Sequence, residues 1–460
     1  MSASSDSGSV RTCLVYLFSA VTSAMNPARL PIALLAVLLI SALAPIVDLA
    51  DGQRFGPRGF SAGPLSATEI ELGLQRARSA ANRIAGAEVD ALDALARDGG
   101  SAATRADYAS AIRDATARRI SERIANGASP DDPELERMRS RAAEALLVIE
   151  ESMPRGVATT FLALEAAAMS AVAASVVRLD LNAALGALGS ALVGLPAAAI
   201  RHSPLMFPLA LVGLACVVSV LAGGSARMAA VHAGRAARLT PLEGAGYARA
   251  RAAHLMALPV LPVLAVAAML LVVLVFVWLL RIPVVNVLAA ALFVVPVVVS
   301  LFGAVVATTA VAAFPLMPVA VVVEDCDAGD AITRACALVL ARPLAWLSIL
   351  ATAVAVLLVG VSIVAGVVGL AAGALDWMLA AAGGAAGQAI ASGDAAEIAV
   401  LQGPDRLVGV IVAFWRGLVG AVAAAYVFTL ACDLATRGYL WMRERVDGEH
   451  PSTVAGYGIR

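Results

Sequence analysis

The sequence predicts an all-α fold: a six-span transmembrane helix bundle with cytoplasmic interfacial amphipathic helices and an extracytoplasmic helical insertion. Three observations predict it: the composition, the length of the uncharged runs, and the placement of arginine between them. Of the 460 residues, 60% are hydrophobic and 15% are charged, whereas soluble proteins carry about 25% charged residues. This composition is typical of a membrane protein.

Five uncharged runs that are rich in large apolar residues are long enough to cross a bilayer, since a helix needs about 20 apolar residues to span about 30 Å of hydrocarbon. They are residues 30–47, 203–226, 255–280, 282–323 and 344–375. Buried helices of soluble proteins rarely extend so far without a polar face. Together with a run near the C-terminus that contains isolated charges, they give six predicted spans: residues 30–49, 203–224, 255–280, 285–312, 344–373 and 410–435.

Arginine placement predicts the orientation of these spans. Residues 227–254 carry five arginines and one acid, whereas residues 371–407 carry four acids and one arginine. Short loops rich in basic residues stay on the cytoplasmic side. The protein is therefore expected in the inner (cytoplasmic) membrane, with both termini cytoplasmic and residues 50–202 extracytoplasmic. The first span is expected to remain uncleaved, because Pro45 would follow the candidate cleavage pattern at residues 42–44.

This topology divides the chain into five segments. They are a cytoplasmic N-terminus with an interfacial helix (1–29), the first transmembrane helix (30–49), the extracytoplasmic insertion (50–202), a five-span membrane domain (203–435) and a cytoplasmic tail (436–460). Within the insertion, apolar residues at helical spacing predict helices near 68–97 and 102–125. A third helix is predicted from just after Pro133 to about Ser152, and the three form a hairpin or small bundle. Residues 156–200 are apolar but rich in Ala and Gly, so two helices on the outer membrane surface are predicted. Insertion of both as a hairpin stays open.

Two cytoplasmic stretches share one pattern, "TPLEGAGYARARAAHLMALP" at 240–259 and "DAGDAITRACALVLARPLAW" at 327–346. Each begins with a residue that can cap a helix, Thr240 or Asp327, and has an acid three positions later, Glu243 or Asp330. Each then leads through an amphipathic helix and a proline into a span. A looser version, "LVYLFSAVTSAMNPARLP", precedes the first span. The chain therefore resembles three copies of one unit: an interfacial helix, a span, an outer loop and a return span.

The acids at 324–330 could instead suggest a metal site. A calcium loop that began at Asp325 would need oxygen ligands at positions 5 and 12, where this chain has Gly329 and Cys336. The five cysteines form no C-x-x-C pair. A helix cap accounts for the cluster, with a regulatory contact as the remaining alternative, and neither a metal nor a cofactor is expected.

Catalytic motifs are scarce. All 33 basic residues are arginine, which excludes a P-loop, a pyridoxal Schiff base and a protein kinase, since each requires a lysine. The four histidines are far apart and include no H-E-x-x-H. An enzyme is therefore not expected.

Charge within the last span is the strongest functional signal. Arg416 lies inside an uncharged run, and Asp433 and Arg437 follow at i, i+4 spacing. Either the span covers 408–431 and buries Arg416, or it covers 417–442 and buries an Asp433–Arg437 pair. A charge at depth costs about 2.5–3.5 kcal/mol on insertion scales, so it should face protein or water. The alternative for both sites is a side chain that extends to the membrane surface.

The predicted function is that of a non-enzymatic polytopic inner-membrane protein, a membrane scaffold or accessory subunit, because the membrane runs hold few polar residues. The alternative is a transporter or channel subunit in which Arg416, or Asp433 with Arg437, lines a path. The expected partners are the lipid bilayer and a homo-oligomer or membrane complex. Neither nucleic acid nor a small-molecule substrate is indicated.

Three stretches also carry a resemblance. "FPLMPVAVVVEDCDAGDAITRACALVLARP" (314–343), "GGSARMAAVHAGRAARLTPLEGAGYAR" (223–249) and "YLWMRERVDG" (439–448) are similar to a family of uncharacterised multi-pass membrane proteins from planctomycete-type bacteria. The resemblance covers roughly residues 203–448 and leaves the outer insertion out. This chain has Ala335 and Cys336 where that family has aromatic residues. The resemblance implies a six-span membrane fold and no established activity.

Overall fold

The structure is a computed structural model that describes residues 6–51, 54–56, 59–97, 105–127, 129, 132–152, 155–178, 180–235, 239–282, 285–392 and 403–449. It is 90% helical, and no β-strand occurs in these ranges. The predicted all-α fold class is confirmed.

Within the described residues, six helices are long and apolar enough to cross a membrane, the number predicted from the sequence. They cover Leu30–Asp51, Met206–Gly234, Ala252–Leu279, Val294–Glu324, Pro343–Ala381 and Leu407–Asp447. Each overlaps one predicted span, and the differences lie at the ends. A helix continues until a cap or a turn ends it, whereas an uncharged run stops at the first charged residue. The protein is therefore a membrane protein by the length and composition of its helices.

The α-helices are numbered here in chain order. They are α1 (Asp6–Ala24), α2 (Leu30–Asp51), α3 (Ala67–Arg97), α4 (Arg105–Ala125), α5 (Pro133–Ser152), α6 (Val157–Val177), α7 (Leu181–Gly189), α8 (Leu195–His202), α9 (Met206–Arg235), α10 (Pro241–Ala250), α11 (Ala252–Leu279), α12 (Val285–Ala291), α13 (Val294–Ala313), α14 (Met317–Glu324), α15 (Ala328–Ala341), α16 (Pro343–Ala382), α17 (Gly384–Ser392) and α18 (Gly403–Asp447). A π-turn at Ser190–Gly194 joins α7 to α8, and 3-10 turns lie at Gly59–Ala62 and Phe314–Leu316.

Residue contacts group the chain into two compact units. The first contains Met1–Ser41, Leu209–Val361 and Val422–Arg460, and the second contains Ala42–Pro208 and Ser362–Ala421. This grouping follows packing, whereas the five consecutive segments predicted from the sequence describe topology across a membrane. That topology stays a prediction.

In the second unit, α3, α4 and α5 form the small bundle expected of the insertion. Their shared core includes Ala81, Ile112, Leu135 and Ile149, all at most 1% exposed. The apolar face of each helix is covered by the other two, which makes this part of the insertion a packed bundle.

The chain that follows this bundle is tied to the end of α2. The carboxylate of Asp48 accepts hydrogen bonds from the amides of Ala158 at 2.6 Å and Thr159 at 3.1 Å, at the start of α6. A Cβ at Gly156 would lie 2.1 Å from the Asp48 Cγ, so only glycine fits there. Helices occupy the region where two membrane-surface helices were predicted, but their position relative to a bilayer stays a prediction.

In the first unit, the three predicted repeats share one pattern of contacts. Three short helices, α1, α10 and α15, each lead into a long apolar helix, which is α2, α11 or α16. The return spans that complete the three repeats end in α9, α14 and α18. Helix α10 packs on α9, where a Cβ at Gly224 would lie 3.1 Å from the Gly244 carbonyl oxygen. Helix α15 packs on α14.

The first short helix closes this series into a ring, because α1 packs on α18. The hydroxyls of Tyr426 and Thr429 donate to the carbonyls of Val21 and Ala24, at 3.4 and 3.3 Å. Each short helix therefore contacts the return helix of the preceding repeat, and the first contacts the last. This cyclic order is the arrangement that a threefold internal repeat produces.

Candidate functional site

Arg29 and Asp433 form a buried ion pair in the first unit. Their side chains are 1% and 2% exposed, and Arg29 Nη1 donates to Asp433 Oδ1. Arg29 Nη2 also donates to the carbonyl of Met228 at 3.3 Å. The backbone amide of Arg29 bonds the Asn26 carbonyl at 3.0 Å, in the turn between α1 and α2. The pair therefore joins the start of the first repeat to the return helices of the first and third repeats.

Asp433 and Arg437, which the sequence offered as a pair in one of two alternatives, have separate partners in the structure. Arg437 Nη1 donates instead to the Tyr16 carbonyl at 3.2 Å and to Ser19 Oγ at 2.7 Å, and its guanidinium lies 5.1 Å from the centroid of the Tyr16 ring. The i, i+4 spacing does place Asp433 and Arg437 on one side of α18. That side is covered by α1 and by the turn after it, which supply other partners to both side chains.

Glu324, at the end of α14, lies at the meeting point of the second and third repeats. Its Oε1 accepts from the Tyr439 hydroxyl and from Arg334 Nε at 3.1 Å, and Arg443 Nε lies 3.7 Å away. Arg334 also pairs with Asp447. Glu324 therefore joins α14 to α15 and α18.

Asp325 has a separate set of partners, on α10 and at the junction between α10 and α11. Its Oδ1 accepts from Arg251 Nη2 at 2.6 Å and from the Tyr247 hydroxyl at 3.3 Å. Arg227 Nη1 donates to the Val322 carbonyl at 2.8 Å, and its guanidinium lies 4.8 Å from the centroid of the Tyr247 ring. Burial, followed by the charge of Asp325, raises the pKa of Tyr247 to about 12. Tyr247 therefore acts as a neutral hydrogen-bond donor.

The remaining acids of this stretch lie at a helix start. Asp327 is the N-cap of α15, and its Oδ1 accepts from the Asp330 amide at 2.9 Å. Thr240 and Glu243 form a capping box at the start of α10, with the Thr240 amide donating to Glu243 Oε2 at 2.7 Å. The carboxylates at 324–330 thus serve different partners and do not converge on one point.

Between the return helices of the first unit lies a cavity of about 260 Å³. All three helices line it, through Ser219 and Ala222 on α9, Pro318 and Val319 on α14, and Phe428 and Cys432 on α18. Its walls are almost entirely apolar. The hydroxyl of Ser219 is buried and has no hydrogen-bond partner among the described residues.

Arg416 lies in the second unit, on α18. It pairs with Asp376 of α16, and its Nη2 lies 3.4 Å from the carbonyl oxygen of Ala391 on α17. Both charged side chains line a second cavity, of about 540 Å³. The single helix α18 carries Arg416, Asp433 and Arg437 together. A helix of 45 residues is about 67 Å long, roughly twice the thickness of the hydrocarbon core, so the two alternatives for the last span stay predictions.

Sequence reasoning about catalytic motifs missed Gly59-Phe60-Ser61-Ala62-Gly63, which matches G-x-S-x-G. In serine hydrolases that pattern forms a sharp turn between a strand and a helix. Here the serine lies on a 3-10 turn, with φ of 59° at Gly59 and 78° at Gly63. The ring of Phe60 stacks on the ring of His202, with centroids 6.0 Å apart. The two glycines are accounted for by the turn.

Other partners were also missed. Arg29 was not singled out because nothing local to it indicates a carboxylate 404 positions away. Asp376 was treated only as one of the acids of a loop. Arg29 pairs with Asp433, and Asp376 pairs with Arg416. A charge inside an apolar helix predicts that it has a partner, but it does not indicate which residue that partner is.

No family model, curated protein or solved structure matches this chain. The resemblance to the planctomycete-type membrane family therefore stays a prediction.

Proposed function

We propose that this chain is a non-enzymatic inner-membrane protein that serves as a membrane scaffold or accessory subunit. The observation that supports this most is that the buried charged side chains of the described residues are bound within the protein. They are Arg29, Asp48, Arg227, Asp433, Arg437 and Arg443. Their partners are carboxylates, backbone groups and hydroxyls of other elements.

Such contacts hold helices in one arrangement. A buried ion pair often contributes little net stability, because desolvation offsets its attraction, but breaking it is costly. The ion pair and hydrogen bonds of Arg29, and those of Glu324, join residues from all three repeats of the first unit. The cavity among the return helices offers almost no polar group to a hydrophilic solute. Both features favour a fixed platform over a path for ions.

The proposed orientation follows the arginine rule. On that rule, α1, α10 and α15 and the charged contacts of Arg29, Glu324 and Asp325 lie in the cytoplasm-facing half, with both termini cytoplasmic and residues 50–202 outside. On this orientation the proposed partners of the platform, a second copy of the chain or another membrane subunit, meet it from within the bilayer or at either surface.

The test combines reconstitution with native mass measurement. The purified full-length protein is placed in liposomes, and ion flux is compared with that of protein-free liposomes. In parallel, the protein is extracted from its own membrane with a mild detergent, and the mass of the extracted complex is measured by native mass spectrometry. We expect no protein-dependent flux and a species of fixed composition heavier than one 46.6 kDa chain.

A transporter or channel subunit is the second candidate, because Arg416 and Asp376 both line a cavity. It predicts protein-dependent flux that Arg416→Gln abolishes. The matched control is Arg281→Gln, an exposed arginine outside both cavities. Flux lost in the first variant and retained in the second would overturn the scaffold proposal.

A further inference from the structure

The second unit contains an amphipathic cavity of about 540 Å³ between the helix segments that carry Asp376 and Arg416. Its walls include Ala372 and Leu375 on α16 and Val412 and Val419 on α18. Sites for small apolar ligands in proteins usually measure about 300–1,000 Å³ and combine apolar walls with a few convergent polar groups. This cavity has both features.

Its polar groups are one cation and one anion. Arg416 Nη2 pairs with Asp376 Oδ1, yet the two side chains remain 23% and 37% exposed. Arg416 Nε is buried and has no hydrogen-bond partner among the described residues. A guanidinium has five N–H donors and a carboxylate about four acceptor sites. The pair therefore keeps capacity for a ligand that carries both charges.

The neighbours of this pair indicate the depth at which it lies. Trp377 follows Asp376 and is 71% exposed, and Trp415 precedes Arg416 and is 57% exposed. Tryptophan is enriched where membrane meets water, because its ring is apolar and its N–H is polar. Exposed tryptophans beside both charges mark the headgroup level of a bilayer, where lipid headgroups also lie.

We propose that this cavity binds one zwitterionic phospholipid with a primary ammonium group, drawn from the bilayer. The phosphate binds Arg416, the ammonium binds Asp376, and an acyl chain occupies the apolar part. Arginine suits phosphate because its planar donors can contact two oxygens at once. A lipid with only a negative headgroup would place a second anion beside Asp376 with no cation of its own to offset it, and a quaternary ammonium has no N–H to donate.

The experiment uses full-length protein in nanodiscs of three compositions. One contains phosphatidylcholine alone, and the others contain one fifth phosphatidylethanolamine or one fifth phosphatidylglycerol in phosphatidylcholine. Native mass spectrometry then measures which lipid stays bound. We expect one phosphatidylethanolamine per chain, retained about tenfold more strongly than either other lipid.

Two variants test the site independently. Asp376→Asn removes the ammonium partner and should reduce the preference for phosphatidylethanolamine about tenfold, whereas Asp405→Asn, an exposed acid on α18, should not. Ala372→Phe fills the cavity while leaving both charged residues in place, and it should abolish retention. Ala374→Phe is its control, because Ala374 is exposed and lies outside the cavity lining.

Several outcomes would overturn the proposal. Equal retention of the three lipids would mean that only non-specific lipid around the protein is retained. Preference for phosphatidylglycerol would mean that the site binds any anionic headgroup. Unchanged retention in Ala372→Phe, with the thermal midpoint also unchanged, would exclude the cavity itself. Because Ala372→Phe keeps the ion pair, it tests the site even where Asp376→Asn unfolds the protein.

Discussion

The guanidinium of Arg29 and the carboxylate of Asp433 form an ion pair that is almost fully removed from solvent and joins positions 404 residues apart. Removing one member of a buried pair leaves a lone charge and costs about 3–5 kcal/mol. Asp433→Ala should therefore destabilise the protein by about that amount. Replacing Arg29 as well, in the double variant Arg29→Met with Asp433→Ala, should recover much of the loss because no lone charge remains.

The measurement is reversible unfolding in detergent for the single and double variants. The control cycle is Asp433→Ala with Arg437→Ala, for which we expect little coupling because Arg437 binds Tyr16 and Ser19. Strong coupling of Asp433 to Arg437, with little coupling to Arg29, would contradict the observed pairing.

Local rules predicted much of this fold. The spans were indicated by uncharged runs, and the helices of the α3–α5 bundle by apolar residues at helical spacing. The caps of α10 and α15 were visible because an N-cap and its acid lie within four residues. The partners of Asp433 and Arg416 were not visible, since a long-range contact leaves no local pattern. The two compact units were not visible either, because they group segments that are far apart in the chain.

The cap of α15 gives a second prediction. Asp327→Asn should leave stability nearly unchanged, because Asn caps a helix about as well, whereas Asp327→Ala should cost about 0.5–2 kcal/mol. Asp330→Asn is the matched control, since that side chain lies in the first turn and does not cap. Thermal unfolding of the three variants checks this. Calcium or zinc bound at one per chain and lost in Asp327→Asn would favour a metal site instead.

Asp325 gives a third prediction from its backbone. It has φ of 53°, the only positive φ outside glycine in the described residues, and a Cβ in that conformation costs about 1–2 kcal/mol. Asp325→Gly relieves that cost while losing a partly exposed pair worth under about 1 kcal/mol, so its stability should match the wild type or exceed it. Asp325→Ala keeps the cost of a Cβ at positive φ and loses the ion pair with Arg251.

Unfolding measurements on both Asp325 variants separate the cost of the positive φ from the contribution of the ion pair with Arg251. We expect the glycine variant to be more stable than the alanine variant by about 1 kcal/mol or more. Equal stability of the two would mean that the backbone there does not hold a positive φ.

Cysteine reactivity gives a prediction that depends on pH. Burial, and then the charge of Glu324, raise the pKa of Cys326 to about 11. Since the thiolate is the reactive form, roughly one thiol in a thousand is ionised at pH 8. With the other cysteines replaced by serine, alkylation of Cys326 by iodoacetamide should be slow at pH 8. It should rise about tenfold per pH unit up to pH 10.

The reference for that profile is Ala245→Cys in a background without native cysteines, because Ala245 is exposed on α10. Its thiol should titrate near the ordinary value of about 8.5 and react fully by pH 9–10. Matching profiles for the two cysteines would show that Cys326 is not shielded.

The proposed orientation across the membrane can be tested by labelling single cysteines in intact cells. In a background without native cysteines, Ser79→Cys lies on an exposed position of α3, and Ala245→Cys lies on an exposed position of α10. We predict that a membrane-impermeant maleimide labels the cysteine at position 79 in intact cells. It should label the one at position 245 only after the membrane is opened. Labelling of position 245 but not of position 79 in intact cells would contradict the proposed topology.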